Sequence, residues 1–382
     1  MRHILAALYS MFILRPSAIL LLPRKGKIDF GKVKKILVYG QMGIGNMILY
    51  TPVIKALRNS FRDAHITLLV GKGGCEQVVD GGGLVDEIIK CELPDLPFSQ
   101  RWRFIFQMRK RKFDLIVSNF HGSRRYLVWL TILSGAPYRL GHTYSIGIVN
   151  MFSCLYNYWV KMDKNKHELD MNICLMNKLG IRVVDRTPSF YVGTEDEQFA
   201  TEYFKKHGIT KSNKVIGVSP GSNPKQEWKR WDSKKYAKLA DKLLRDSNIK
   251  MIALGSPGER QLIEATFSDL SIKPIIASGE VTLGQTAAII NRSDCLVSND
   301  GGLMHVAVAM NTPVVAICGP TDYVRTGPLG KQNIIIRKDL PCSPCYTVGK
   351  LARVESCQNR ICLESITVEE VLEAVRRQLK RQ

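Results

Sequence analysis

A short apolar run followed at once by a glycine-rich or polar loop occurs repeatedly along this chain, and a helical pattern follows several of these loops. The runs are residues 36–39, 65–70, 85–89 and 114–118 in the first half of the chain and 215–218, 251–254, 295–298 and 314–318 in the second half. Alternation of this kind predicts an α/β fold, with parallel sheets that are covered by helices on both faces.

The length of the chain favours two such domains over one. A chain of 382 residues exceeds what one hydrophobic core usually serves, and its apolar fraction of 45% is that of a globular protein. A polar, less regular region that includes Asp163 and Pro188 separates the two series of strands. We therefore predict four segments. They are a basic apolar leader at 1–33, a first Rossmann-like domain at 34–190, a second at 191–367 and a C-terminal helix at 368–382.

The net charge of +21 predicts an anionic partner. Nucleic acid, a phosphorylated glycan and an acidic membrane surface all have this chemistry. No nucleic-acid reader motif accompanies the basic residues, so we expect no nucleic-acid partner.

Much of the excess charge lies in the leader. Residues 1–35 contain one acidic residue, Asp29, and eight basic residues: Arg2, Arg15, Arg24, Lys25, Lys27, Lys32, Lys34 and Lys35. The apolar stretch from Ile4 to Leu22 is interrupted by Arg15 and Pro16, and no cleavage site follows it. We interpret the leader as a helix in the membrane interface with basic flanks. An uncleaved anchor and a helix packed on the protein remain alternatives.

A second basic cluster lies in the first domain. Its members are Arg101, Arg103, Arg109, Lys110, Arg111 and Lys112, interleaved with Trp102, Phe104, Ile105 and Phe106. Two interpretations stay open: a solvated helix face, and a contact to lipid or to acceptor phosphates.

Ten cysteines without a cleavable leader favour a reducing compartment. Four of them form a C-x2-C and C-x4-C cluster within 342–362: Cys342, Cys345, Cys357 and Cys362. A structural zinc site, labile disulfides and a reduced loop are the three interpretations that the spacing leaves open.

In the second domain, four strand ends carry polar loops, which places these loops on one edge of a sheet. One of them holds two adjacent glycines, Gly301 and Gly302, before a helical pattern that begins at Leu303. Glycines at a helix start let backbone N–H groups approach an anion. The loop therefore predicts a phosphate site, with an ordinary tight turn as the alternative, and makes the second domain the nucleotide-binding candidate.

Four motifs, in this order, resemble those of the ADP-heptose:lipopolysaccharide heptosyltransferases, glycosyltransferase family 9. They are GIGNM at 43–47 with the Thr51-Pro52 pair, SPGS at 219–222 with KRW at 229–231, DGGLMH at 300–305 and GPTD at 319–322. The resemblance covers about residues 34 to 375, and the four-cysteine segment also resembles one in some members. The leader lies outside it.

The resemblance implies a GT-B architecture, with two Rossmann-like domains facing each other across a cleft, the donor in the C-terminal domain and the acceptor in the N-terminal one. It also implies inverting transfer of a heptose or a related sugar from a nucleotide diphosphate to the lipopolysaccharide inner core, with no metal or other cofactor. An enzyme of this kind works in the cytoplasm, and the basic leader predicts that it is peripheral on the cytoplasmic face of the inner membrane.

Several donor-site residues follow from the resemblance. Lys229 matches the phosphate-binding lysine, with a surface charge as the alternative, and the amides of Gly301 and Gly302 lie where the family contacts phosphate. Ser222 is a candidate to donate a hydrogen bond to the phosphates, and Glu259 is the candidate acid that holds the ribose. Asp300 is a candidate for a helix cap or for a contact to a hydroxyl of the donor sugar. His305 either lines the donor pocket or is a core histidine.

The acceptor side departs from the family at Asn46, which follows Gly45 where well-known members have an Asp that is thought to act as the base. An amide does not accept a proton usefully near pH 7. One hypothesis is that Asn46 orients the acceptor while His121, or an acceptor phosphate or carboxylate, takes the proton. The other is that the activity is lost or changed.

Arg124 and Arg125, close to the end of the 114–118 strand, are candidates for contacts to phosphorylated core sugars or lipid A, with solvated charges as the alternative. Two other functions remain open beside the transferase. One is a non-catalytic or altered-specificity homologue that binds a nucleotide sugar or glycan, which Asn46 favours. The other is a sugar-nucleotide epimerase of the same architecture.

Overall fold

A computed structural model describes residues 28–71, 73–119, 125–143, 156–346, 354 and 357–381. The chain divides into two compact units, which meet in sequence between Thr187 and Pro188. The predictions for the leader before residue 28, for His121 and for Arg124 lie outside the described residues. Among the residues described, no helix is both long and apolar enough to cross a membrane.

The first unit contains a six-stranded parallel sheet in the order β3-β2-β1-β4-β5-β6. Its strands are β1 (Lys35–Tyr39), β2 (His65–Val70), β3 (Glu87–Lys90), β4 (Leu115–Ser118), β5 (Tyr138–Thr143) and β6 (Tyr158–Lys161). Its helices are α1 (Ile44–Ser60), α2 (Phe98–Lys110), α3 (Arg125–Leu133) and α4 (Glu168–Lys178), with 3-10 turns at Phe30–Lys32, Cys75–Val78 and Leu93–Asp95.

Apolar side chains bury both sides of this first sheet. One cluster joins Leu37, Tyr39 and Ile116 of the strands to Ile105 and other residues of α2 and α3. Helix α1 is buried over most of its length and packs against α4. The sheet order runs outward in both directions from β1, so the carboxyl ends of β1 and β4 flank a switch point of the kind where open α/β sheets bind ligands.

The second unit repeats the plan with the order β12-β11-β10-β7-β8-β9, again all parallel. Its strands are β7 (Lys214–Ser219), β8 (Ile249–Ala253), β9 (Ile275–Ile276), β10 (Cys295–Asn299), β11 (Val314–Ile317) and β12 (Ile334–Ile336). Its helices are α5 (Thr194–Lys206), α6 (Ser233–Leu244), α7 (Arg260–Phe267), α8 (Leu283–Asn291), α9 (Gly302–Ala309), α10 (Tyr323–Thr326), α11 (Ile361–Glu364) and α12 (Val368–Leu379), with 3-10 turns at Pro224–Lys229 and Pro257–Glu259.

A single hydrophobic core joins one face of the second sheet to helices α6, α7 and α12. Helix α12 is capped by Thr367, whose hydroxyl accepts from the Glu370 amide while the Glu370 carboxylate accepts from the Thr367 amide. It packs against α6 and strands β10, β11 and β12, so the C-terminal helix belongs to the second unit.

The predicted fold class, α/β with two Rossmann-like parallel sheets, is confirmed in each unit. The sequence analysis did not predict strands β5, β6, β9 and β12. Arg139, Gly141 and His142 interrupt the apolar pattern of β5, and β9 has only two residues. Strand β12 is apolar but has only three residues, so these edge or near-edge strands lack the longer apolar run that marks a fully buried strand.

Candidate active site

The loops after β7 and β10 lie side by side at the switch point of the second sheet. Strands β7 and β10 are parallel neighbours, with Ser219 opposite Ser298 at their carboxyl ends. Strand β8 adjoins β7 on the other side, and β11 adjoins β10. The four polar loops therefore share one edge of the sheet, as the sequence predicts, and the crevice between β7 and β10 is where the fold favours a ligand.

Asn299, the last residue of β10, connects three segments of this edge. Its Oδ1 atom accepts hydrogen bonds from the Trp231 amide at 3.0 Å and the Tyr236 hydroxyl at 3.1 Å. Its Nδ2 atom donates to the carbonyl oxygens of Pro220 at 2.8 Å and Gly221 at 3.1 Å. The side chain is fully buried, so these bonds fix the β7 loop relative to β10 and α6. The sequence analysis assigned no role to Asn299.

Lys229 and Asp300 form an ion pair beside the start of α9. The Lys229 Nζ atom lies 3.7 Å from Asp300 Oδ2, and the two side chains are 13% and 6% exposed. Within the described part of the chain, Asp300 Oδ2 accepts no hydrogen bond. A nearly buried cation beside a carboxylate oxygen with unused hydrogen-bonding capacity indicates a polar site that a ligand completes.

Helix α9 begins directly at this ion pair. Gly301 is its N-cap in an extended conformation, and no N-cap side chain caps the helix. The first amides of a helix have no partner inside it, and the helix dipole adds partial positive charge at this end. Lys229 and the Gly302 end of α9 thus bring two sources of positive charge to one place, next to Asp300. His305 lies buried on the same helix.

Two aromatic rings hold the Lys229 ammonium group in position. Its Nζ atom lies 5.6 Å from the centroid of the Trp228 ring and 5.8 Å from that of Tyr346, and the two rings are 4.6 Å apart. Tyr346 is held in turn by its amide, which donates to the Pro320 carbonyl at 2.8 Å. The segment after β12, which Tyr346 joins to the loop after β11, therefore contributes to the lysine environment. This contact was not predicted because Tyr346 is far from Lys229 in the chain.

Ser222 is buried in the β7 loop and takes part in its internal hydrogen bonds. Its hydroxyl donates to the Gln226 carbonyl at 3.0 Å and accepts from Arg230 Nε at 3.0 Å. A second Arg230 nitrogen donates to the Ser222 carbonyl at 3.1 Å. In this conformation Ser222 shapes the turn that leads to Lys229, and a contact to phosphate stays a prediction.

Glu259 lies at the loop after β8 and approaches the β7 loop. Its Oε2 atom accepts from the Ser256 amide at 2.7 Å and the Ser256 hydroxyl at 2.5 Å. A Cβ atom added at Gly221 would overlap the Glu259 carboxylate. The absence of a side chain at Gly221 thus allows Glu259 to lie against the same loop that Asn299 holds.

In the first unit, two of the predicted acceptor residues, Gly45 and Asn46, lie in the first turn of α1, which follows β1 at the switch point of that sheet. Gly45 is buried and Asn46 is half-buried, as the second and third residues of α1. Asn119, just after β4, donates to the Tyr39 carbonyl at 2.8 Å and so ties the ends of β1 and β4 together. Arg125 begins α3.

The cysteines of the C-terminal cluster are free thiols that line one cavity together with Trp228 and Pro320. Burial, with the three neighbouring thiols, raises the pKa of Cys362 to about 11. Among the described residues, no group of three or more His, Cys, Asp or Glu side chains is arranged to hold a metal ion. The four thiols are not paired in this structure, and structural zinc, labile disulfides and a reduced loop all stay predictions.

Buried Cys318 adjoins the ion pair. Burial first, and the charge of Asp300 second, raise the pKa of its thiol, while Lys229 opposes the shift. The thiol is therefore protonated at neutral pH and is a poor nucleophile.

Comparison with known proteins agrees with this architecture. Lipopolysaccharide heptosyltransferase 2 of Escherichia coli (strain K12) is 25% identical over 320 residues, which are 79% of this chain and 88% of the relative. A solved glycosyltransferase family 9 structure from Veillonella parvula DSM 2008 has a TM-score of 0.76 at 24% identity, covering 94% of this chain and 100% of that one.

The structure of E. coli ADP-heptose lps heptosyltransferase II has a TM-score of 0.70 at 23% identity and covers 91% of this chain and 99% of that one. At such identities the two structures show a shared fold. The family model for glycosyltransferase family 9 (heptosyltransferase) matches residues 101–353, which is more than half of the chain. This protein is therefore a glycosyltransferase that belongs to family 9.

Proposed function

We propose that this glycosyltransferase transfers a heptose from ADP-heptose to the inner core of lipopolysaccharide, with inversion at the sugar and without a metal ion. The observation that carries the proposal is the nearly buried Lys229 beside Asp300 at the start of α9. Departure of the sugar builds negative charge on the diphosphate, and fixed positive groups that stabilise this charge lower the barrier. The printed names of the E. coli relatives support the choice of donor and acceptor.

In this proposal, Lys229 and the amides of Gly301 and Gly302 bind the diphosphate, with Ser222 at the edge of the same site. Glu259 binds the ribose from the neighbouring β8 loop. Asp300 binds a hydroxyl of the donor sugar, for which its Oδ2 atom has unused hydrogen-bonding capacity. His305 lines the pocket from α9. All of these residues belong to the second unit.

The acceptor binds to the first unit, where Gly45 and Asn46 lie in the first turn of α1. His121, Arg124 and Arg125 follow β4 in the chain and are proposed to contact the phosphorylated core or lipid A. Because Asn46 carries an amide, His121 or an anionic group of the acceptor takes the hydroxyl proton. The enzyme works in the cytoplasm, on the membrane that holds its acceptor.

The test of this function is an incubation with ADP-heptose and heptose-deficient lipopolysaccharide, in which ADP release and acceptor mass are measured together. We expect one heptose added for each ADP released, the opposite anomeric configuration in the product, and an unchanged rate in the presence of a chelator. Donor binding without a gain in acceptor mass would contradict the proposal. That result would favour the second candidate, a non-catalytic homologue, for which the amide at Asn46 is the specific observation.

Replacing Asn46 with Asp tests the base assignment. A carboxylate at the third residue of α1 would be stabilised in its charged form by the helix N-terminus and could accept a proton. We expect Asn46→Asp to raise kcat about tenfold or more, because a positioned general base contributes ~10²–10⁴-fold. Asn46→Ala is the control for orientation alone. An unchanged kcat in Asn46→Asp would show that proton removal at this position does not limit the reaction.

Replacing Gly221 with Ala tests the ribose assignment. The added methyl group would displace the Glu259 carboxylate, which is the flexible end of a side chain, so the fold should tolerate the change. We expect the Kd for ADP to rise about tenfold, the equivalent of one lost hydrogen bond to a charged group. Gly258→Ala is the matched control, since a Cβ there meets no atom within 4 Å. Equal ADP affinity in the two variants would contradict a role for Glu259.

A further inference from the structure

Helix α2 carries an aromatic ridge on its outward face. Phe98, Trp102 and Phe106 are spaced four residues apart, so they lie on one side of the helix. Their exposed fractions are 74%, 41% and 58%. The ring centroids are separated by 6.2 Å between Phe98 and Trp102 and by 6.3 Å between Trp102 and Phe106. The three rings therefore form one continuous exposed apolar surface.

An adjoining face of α2 is fixed to the first unit. Ile105 and Met108 are buried in the core cluster that includes Phe113, Leu127 and Leu130. Helix α2 also packs against α3. The orientation of the helix is thus determined by its own core contacts, and the aromatic ridge lies beside the core face and stays exposed.

Basic side chains of α2 lie around this ridge, and no acidic residue of the same helix offsets their charge. Arg101, Arg103, Arg109 and Lys110 are exposed, and residues 98–110 contain no Asp or Glu. Arg101 donates to the Leu96 carbonyl at 2.7 Å, and Arg109 donates to the Leu133 carbonyl at 3.0 Å. These acceptors are neutral carbonyl oxygens, so the hydrogen bonds do not offset the positive charge of either arginine. Arg111, just beyond the helix, differs because it pairs with Glu87.

A bilayer with anionic headgroups matches this combination. Aromatic side chains are favoured at the level of the headgroups, and each Lys or Arg near an anionic surface adds ~1 kcal/mol. A helix that lies in the plane of the interface needs an apolar face toward the acyl chains and cations at the phosphates. An exposed apolar ridge on a folded domain is also a feature that marks interaction surfaces.

We propose that α2 is a membrane-contact surface, in which Phe98, Trp102 and Phe106 enter the headgroup region of an anionic phospholipid bilayer while Arg103 and Lys110 contact lipid phosphates. This deepens the membrane-peripheral location in the proposed function and rests on it. It assigns the contact to a surface of the folded first unit, separate from the leader.

The test measures binding of the full chain to vesicles of phosphatidylglycerol and phosphatidylethanolamine by co-sedimentation. We expect Trp102→Ser with Phe106→Ser, and separately Arg103→Glu with Lys110→Glu, to weaken binding about tenfold or more. The matched controls are Trp159→Ser, another exposed tryptophan of the first unit, and Lys205→Glu with Lys206→Glu on α5. We expect both controls to bind within about twofold of the wild type.

A second measurement locates the ridge in the bilayer. Brominated lipids quench tryptophans at the headgroup and upper acyl level, and we expect Trp102→Phe to lose most of the quenching seen in the wild type. Unchanged vesicle affinity in the ridge variants, unchanged quenching in Trp102→Phe, or no vesicle binding by the wild type would each overturn the proposal.

The last of these results would indicate a protein partner for the ridge. Transfer to a lipid-free core oligosaccharide separates the two proposals, because ridge variants should retain this activity. If the wild type does not transfer a heptose to this oligosaccharide, the proposed function is contradicted. The vesicle measurements then still test membrane contact by α2.

Discussion

Replacing Lys229 with Ala is expected to lower kcat/KM by about 10²- to 10³-fold, the usual effect of removing one group that stabilises charge in a transition state. The Lys229 side chain is 13% exposed, and its ammonium group lies near Asp300 and the rings of Trp228 and Tyr346. A cation that is already desolvated and oriented stabilises a developing diphosphate charge more than a mobile surface lysine does.

The control for this variant is Lys225→Ala, an exposed lysine on the same 3-10 turn. Loss of Lys229 also leaves Asp300 as a buried charge without its partner, which lowers stability. The thermal unfolding temperature of Lys229→Ala is therefore measured beside its rate at a temperature where the variant is folded, which separates folding from catalysis. Activity of Lys229→Ala equal to that of Lys225→Ala would show that the lysine does not act on the donor.

Replacing Asn299 with Ala is expected to lower the free energy of unfolding of the second unit by about 3 kcal/mol or more, since leaving a buried polar group unsatisfied costs ~1–3 kcal/mol. Four hydrogen bonds depend on this amide, and its partners include the carbonyl oxygens of Pro220 and Gly221. Burial raises the pKa of the Tyr236 phenol, so that its hydroxyl stays a donor to Asn299. Urea unfolding followed by tryptophan fluorescence measures the effect.

Asn299→Asp is the more selective variant, because a carboxylate still accepts from Trp231 and Tyr236 but no longer donates to the β7 loop. We expect it to weaken ADP binding as well as stability, since the carbonyl oxygens of Pro220 and Gly221 lose their donor. Asn248→Ala, at an exposed turn, is the control. A urea midpoint for Asn299→Ala that matches this control would contradict the role of Asn299 as the connection between the loops.

Sequence alone predicted the parts of the fold that local patterns encode. The buried strands and their polar loops appear as apolar runs that end in Gly, Ser or Asp, and the order of these runs predicts two parallel sheets. Lys229 and Asp300 were both candidates, but only the sheet order brings their two loops together at one switch point. The strand β5 was missed because its polar residues are buried by tertiary contacts.

Contacts between distant loops could not be predicted from the sequence. Asn299 ends an apolar strand, as many asparagines do, and its four partners lie 63 to 79 residues away in the chain. Tyr346 belongs to the cysteine-rich segment, for which the sequence left zinc, disulfides and a reduced loop open, and its ring lies beside Lys229. The exposure of the aromatic residues of α2 could not be predicted either, because it depends on which face of the helix packs in the core.

A crystal structure of the chain with ADP tests the central claim most directly, because the account places the diphosphate at one switch point in the second unit. We expect the β-phosphate to accept hydrogen bonds from Lys229 Nζ and from the first amides of α9, with the ribose at Glu259. A diphosphate bound away from Lys229, or ADP held by the loops of the first unit, would contradict it.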